Sequence, residues 1–393
     1  MDAYIVDYTR TAFSRSRPKE PERDVFNSIR MDEALALLIK HVIQKNKIDT
    51  KDIGDVITGC AMQAGENWLY GGRHPVLLAG LPTYVPGSSV ERACSSSMMS
   101  IATGAMEIMT GNSEVVLACG MEHMTHVPIS DNPLISPNYK LMLRPEYLKY
   151  DMAVGYNMGL TAEKLAQESG ITKDAMDEFS LNSHMKAAKA QKDGWFKKEI
   201  LPIETEVNGQ KMVVDSDQSI RADTTIEQIS KLPPAFKQNG VITIGNSSPL
   251  NAGASLVMLM SENAVKKYGV KPMAKIRSIG WAAVDPDVMG KGNVPASKKA
   301  LERAGLKIDD VDYWEINEAF AVVVLYAIRE LGIDPERVNM HGGAISIGHP
   351  LGATGARLVG TLSRILQDSG KRIGLATLCV GGGQGFSILL EKT

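Results

Sequence analysis

Two cysteines and one histidine stand in surroundings suited to covalent chemistry. Cys94, in VERACSSSMMS, precedes three serines and a helical apolar pattern of Met98, Ile101, Ala102, Ala105 and Met109, which places it at a helix start. Unpaired N–H groups and the helix dipole favour the thiolate there, the nucleophilic form of the side chain; the competing reading is a small buried cysteine in a turn. His349 lies in HGGAISIGHPLGATGARLVG, where Pro350 pre-sets a first helical turn and the glycines at 342, 343, 348, 352 and 355 allow close backbone approach. A histidine pinned at a helix start either works as a base near neutral pH or simply hydrogen-bonds a loop. Cys379 ends the strand-like ATLCV, ahead of glycines 381 to 383. Their backbone N–H groups are free to face a ligand, although a triple glycine also suits a plain tight turn. In WEINEAFAVVV, Asn317 and Glu318 interrupt an apolar stretch at a strand end, either to orient a catalytic group or to close a structural network. His123, His126 and His341 lack such framing and read as structural.

Composition excludes more than it selects. The four cysteines, at 60, 94, 119 and 379, form no C-x-x-C pair and have no histidine at metal spacing, so neither a disulfide framework nor a metal site is expected. Basic residues number 43 and acidic residues 45, with no block of one sign that reads as a nucleic-acid stripe; local basic residues remain available for a small anionic ligand. No Gly-Lys-Ser/Thr follows the glycines, which disfavours nucleoside triphosphate chemistry. No run approaches the roughly 20 apolar residues that span a bilayer. The opening MDAYIVDYTRTAF reads as a strand, Ala3 to Val6, rather than a leader, and the expected location is the cytoplasm.

These residues must be positioned by an α/β chain. Apolar runs at 56–60, 115–120, 322–331 and 373–378 alternate with amphipathic stretches, the pattern of short buried strands between helices. The length suits two or three domains. DIGDVITG at 52–59 resembles DVDYWEIN at 310–317, an offset of 258, and TGNSEVVLACG at 110–120 parallels SGKRIGLATLC at 369–379, an offset of 259. Two segments sharing nearly one offset indicate a duplicated half. A pseudo-twofold axis would then bring the helix starts at Cys94 and His349 together. The expected division is a first half of residues 1–124 plus 240–268, an inserted loop domain of 125–239, and a second half of 269–393. The insertion contains a Pro- and Asn-rich stretch, an amphipathic run from Thr161 to Lys192 and a polar tail; its length suits a functional cap.

Together, ERACSSSMMS, NEAFA, GGAISIGHPLGATGAR and CVGGGQG resemble the signature set of the thiolase family, in family order and over nearly the whole chain. GYNMGLTAEKLA, NSSPLNAGAS and DPDVMGKGNVPAS extend the resemblance, and IMTGNSEVVLACGMEHMTHVPI with SIRADTTIEQ resembles the degradative 3-ketoacyl-CoA branch, including thiolase subunits of bacterial fatty-acid oxidation complexes. The resemblance implies a five-layered fold of two α/β halves with an inserted loop domain. It implies an acyltransferase that cleaves 3-ketoacyl-CoA with coenzyme A as co-substrate and no further cofactor, working as a homodimer or homotetramer, in some cases with an oxidation-complex partner.

Carried over residue by residue, Cys94 is the nucleophile, His349 its base and Cys379 the second acid/base. Asn317 holds a water that joins His349 in one oxyanion hole, and the N–H groups of Cys94 and Gly381 form the other. Ser248 lies along the pantetheine, Arg221 near the adenine end, and Met158, Met289 and Phe320 line the thioester pocket. Asn157 and Pro249 depart from commoner family patterns, which leaves chain-length preference and the coenzyme A contacts open, and His341 departs in the loop scaffold. Three other readings stand beside this one: acetoacetyl-CoA synthesis, a decarboxylating ketoacyl synthase, which Cys379 in the last motif disfavours, and a non-catalytic acyl-CoA or lipid carrier.

Overall fold

A computed structural model describes residues 1–130 and 132–393. In the first half β1 (Ala3–Arg10), α1 (Met31–Asn46), β2 (Ile53–Gly59), α2 (His74–Leu78), β3 (Ser88–Val90), α3 (Ser96–Met109) and β4 (Val115–His123) follow one another. The chain then leaves the sheet for α4 (Lys140–Leu143), α5 (Met152–Gly155), α6 (Met158–Ser169), α7 (Lys173–Lys192), the hairpin β5 (Ile203–Val207) and β6 (Gln210–Val214), and α8 (Ile226–Ser230). It returns through β7 (Ala252–Ser261) and α9 (Glu262–Tyr268). The second half runs β8 (Ala274–Ala283), α10 (Asn293–Ala304), β9 (Tyr313–Ile316), α11 (Ala321–Leu331), α12 (Leu351–Ser369), β10 (Ile373–Val380) and β11 (Gln384–Lys392).

The strand order is β3-β2-β4-β7-β1-β8-β11-β10-β9. Read outward from the β1–β8 seam, both halves repeat one pattern: β7 and β11 are antiparallel to their neighbours, and the next pair, β4 with β2 or β10 with β9, is parallel. The repeat inferred from offsets is therefore real in three dimensions, since β2 matches β9 and β4 matches β10. The seam itself is only two residue pairs long, Tyr4 with Lys275 and Ile5 with Ala274.

Period-two alternation builds the layers. On β4, Val115, Leu117, Cys119 and Met121 face α1, whereas Val116 and Ala118 face the middle of the molecule. On β10, Leu375 faces α10 and α11 while Ala376, Leu378 and Val380 face inward. The central space holds α3 and α12, so the order is helix, sheet, helix pair, sheet, helix pair, the five layers that the sequence resemblance implies. Glycines let the middle helices approach: a Cβ on Gly355 of α12 would lie 2.4 Å from the Met98 nitrogen of α3.

Two local expectations change. The apolar run 322–331 belongs to helix α11, not a strand; ten residues ending at Gly332 in the left-handed conformation suit a capped helix buried on one face. Thr161 to Lys192 is not one run, because Gly170 ends α6 and Thr172 caps α7. The excursion replaces the glycine turn that joins β10 to β11, and residues 240–251 also run outside the sheet, along its wall.

Candidate active site

Cys94 is presented by a strained turn. Ala93 adopts φ +43, a left-handed conformation costly for a side chain, within the 3-10 turn that leads into α3. The serines hold this turn instead of capping the helix. Ser95 Oγ donates to the Arg92 carbonyl at 2.8 Å, and Ser96 Oγ donates to the Ala93 carbonyl at 2.7 Å while accepting the Arg92 N–H. Ser97 Oγ accepts the Ala356 N–H at 2.8 Å, tying α3 to α12. Arg92 is also held over the rings of Trp281 and Phe386.

His349 immediately precedes α12, whose N-cap is Pro350, one residue earlier in the helix frame than expected. Its backbone N–H donates to Asn251 Oδ1 at 2.7 Å, and Gly348, at φ +122, packs against that same amide, where a Cβ would collide. The imidazole Nδ1 lies 2.7 Å from Thr354 Oγ1, whose own proton goes to the Pro350 carbonyl at 2.8 Å. Thr354 is thus the acceptor, Nδ1 carries the proton, and Nε2 keeps its lone pair. Asn317 Nδ2 sits 3.3 Å from Nε2, and Asn317 Oδ1 is buried with no partner among the described residues.

Glu318 answers the alternative posed by the sequence: its carboxylate closes a structural network, accepting from Ser183 Oγ, Asn339 Nδ2 and Ile345 N–H, and fixes the loop before His349. Buried Glu122 does similar work from β4, accepting the N–H groups of Ala61, Met62 and Gly352.

One cavity of about 950 Å³ is lined by Cys94, His349 and Cys379 together with Met158, Met289 and Phe320. Ser248 and Arg221 line its outer part. Asn317 and Gly381 stand one layer behind: the first touches His349, and the second aims its N–H at the Cys94 sulfur, as does the N–H of Cys94 itself. All ten residues singled out in the sequence therefore meet at one site. Asn157 lines it too, with its side-chain oxygen committed to capping α6 at Leu160 N–H. His123 and His126 stack on each other away from it, and His341 packs on Trp195.

Electrostatics correct one expectation. Burial pushes the Cys94 thiol up to about 11; the two N–H groups pull it down, and the carboxylates of Glu122 and Glu91 add to the rise. Desolvation outweighs the helix start, so the resting side chain is a thiol. Burial, and secondarily the Arg357 guanidinium, holds His349 down at about 3, so the imidazole is neutral. Burial also raises Cys379, and the nearness of the Cys94 sulfur, which disfavours a second thiolate beside it, raises it further. The site therefore holds two protonated sulfurs beside one unprotonated base.

Thr354, Asn251 and Glu122 escaped the sequence reading. Each is a buried polar residue in or beside a quoted motif, but nothing local marks its partner.

This constellation on this fold defines an acyl-transferring thiolase site, and the family comparison agrees: "Thiolase, N-terminal domain" matches residues 3–263 and "Thiolase, C-terminal domain" residues 270–392. The chain belongs to the thiolase family. It is 42% identical to a 3-ketoacyl-CoA thiolase of Marinobacter nauticus over 401 aligned positions, covering 100% of this chain and 98% of that protein. It is also 42% identical to a 3-ketoacyl-CoA thiolase of Saccharophagus degradans, with 100% and 98% covered. The crystal structure of human mitochondrial 3-ketoacyl-CoA thiolase superposes with a TM-score of 0.88 at 32% identity, covering 100% of this chain and 99% of that one.

Proposed function

We propose that the protein cleaves 3-ketoacyl-CoA with free coenzyme A, releasing acetyl-CoA and an acyl-CoA two carbons shorter, in the degradation of fatty acids. The observation that carries this reading is the lining of one cavity by two thiols, Cys94 and Cys379, and the imidazole of His349.

His349 Nε2 takes the Cys94 proton as the sulfur attacks the 3-keto carbon. Charge on that oxygen faces the N–H groups of Cys94 and Gly381, each such donor being worth about 3 kcal/mol of barrier. Breaking the C2–C3 bond leaves its electron pair on the acetyl unit as an enolate, whose oxygen lies toward His349 and Asn317. Cys379, kept protonated by its apolar surroundings, delivers its proton to C2 and completes acetyl-CoA. The Cys379 thiolate then takes the thiol proton of incoming coenzyme A, whose sulfur displaces Cys94 from the acyl group, and His349 returns the first proton. The excursion 125–239 serves as the coenzyme A cap in this reading, with Ser248 and Arg221 along the coenzyme and Met158, Met289 and Phe320 around the thioester.

The reading extends to a cytoplasmic homo-oligomer. Support for association is the free edge of β3 and the exposed Trp68, Leu77, Leu78 and Tyr84 on the segment leading to it.

Thiolysis of 3-ketoacyl-CoA substrates of increasing length tests the proposal, with mass spectrometry of the acylated protein. Cys94→Ala is expected to fold and not turn over, and Cys379→Ser to acylate Cys94 slowly. Binding of acyl-CoA with no acetyl-CoA released, or an acyl label on Cys379, would overturn it.

A further inference from the structure

The segment between β1 and α1 runs in extended form beside residues 250–254. Thr11, Ser14 and Ser16 donate backbone N–H groups to the carbonyls of Ala254, Ala252 and Leu250. Along it Ser14 and Ser16 are buried while Arg15 and Arg17 are half-buried, and Arg15, Ser16 and Arg17 line the cavity. Arg221, from the excursion, lines the same wall.

These three guanidiniums form no ion pair among the described residues, and the Nε of Arg17 is buried without a partner. Arg15 is lowered by burial and then by Arg17, Arg221 and Arg23, with no carboxylate opposing them. Of that set only Arg23 is paired, to Glu20 at 2.6 Å. The acid on the same wall is Asp223, which is exposed. Arg15 and Arg17 are half-buried and repel one another, with the exposed Arg221 adding to the field, and a polyanion supplying planar oxygen pairs to the guanidinium forks relieves that repulsion.

We propose that Arg15 and Arg17, with Arg221, are the subsite for the phosphates of coenzyme A, so that the enzyme selects the phosphorylated coenzyme over thiols that lack them. The inference rests on the coenzyme A reading above and assigns the phosphate end to the first half of the chain as well as to the inserted cap.

Calorimetric titration of the full chain tests it, using coenzyme A, adenosine 3′,5′-bisphosphate and pantetheine on the parent, Arg15→Gln, Arg17→Gln and Arg15→Lys. The expected result is that both Gln variants weaken coenzyme A and the bisphosphate about ten-fold or more. Pantetheine affinity stays unchanged, and Lys, which keeps the charge but not the fork, lies between. Unchanged coenzyme A affinity in both Gln variants, or an equal loss for pantetheine, overturns the proposal. Titration needs no turnover, so binding that depends on these arginines without acylation of Cys94 would sink only the reaction and leave the subsite standing.

Discussion

Thr354→Val isolates the part of the site that sets the state of the base. Thr354 does not line the cavity, and it accepts the Nδ1–H of His349 at 2.7 Å while donating to the Pro350 carbonyl at 2.8 Å. Valine keeps the shape and removes both bonds. A buried donor left without an acceptor costs about 1–3 kcal/mol. The ring can escape that cost by moving its proton to Nε2, which removes the lone pair that takes the Cys94 proton. If the whole cost falls on the transition state, kcat drops about 5- to 150-fold. KM for coenzyme A holds, because no coenzyme contact changes. Steady-state thiolysis gives the kcat and KM split, and quenched mass spectrometry gives the rate of Cys94 acylation. Thr354→Ser should restore most of the rate. A valine variant with kcat within about two-fold of the parent would refute the tautomer argument.

Other perturbations follow from the same geometry. In His349→Ala, alkylation of Cys94 by iodoacetamide should rise about ten-fold per pH unit between about pH 7 and 10, as expected of a thiol near 11; a plateau below pH 8 would show that the helix start already holds a thiolate. His349 and His184 are held near 3 and 4, below their ordinary 6.5, so the unfolded chain binds protons more readily than the folded one. The stability they contribute is complete above pH 6.5 and falls by about 1.4 kcal/mol per unit for each as pH drops, until about pH 4 for His184 and about pH 3 for His349. Denaturant midpoints across this range check the slope. Gly355→Ala would force α12 away from the Met98 backbone, costing about 1–3 kcal/mol and lowering kcat as the Cys94 and His349 turns separate; a thermal melt paired with a rate measurement reads both effects.

The duplicated halves were visible because acids and apolar residues recur in similar places in the paired strand segments, and the two offsets agreed to one residue. The strand-like reading of 322–331 failed because an apolar run of that length looks alike in a buried helix and a buried strand; Gly332 and one-sided packing decide it. The serines after Cys94 indicated a helix start correctly. Their hydroxyls hold a strained turn instead of the helix end, which depends on the conformation of Ala93 and not on residue type.

The sequence by itself determined the chemistry available: two thiols, an imidazole, an amide and a glycine turn, each at the end of an element whose period can be read locally. The tertiary structure alone decided their protonation and aim. Burial raises Cys94 against the pull of its helix start and of Gly381, Arg357 reaches His349 from the next turns of α12, and Thr354 fixes the imidazole proton. Proton affinity depends on how much water and which charges surround a group, and those surroundings come from residues far apart in the chain.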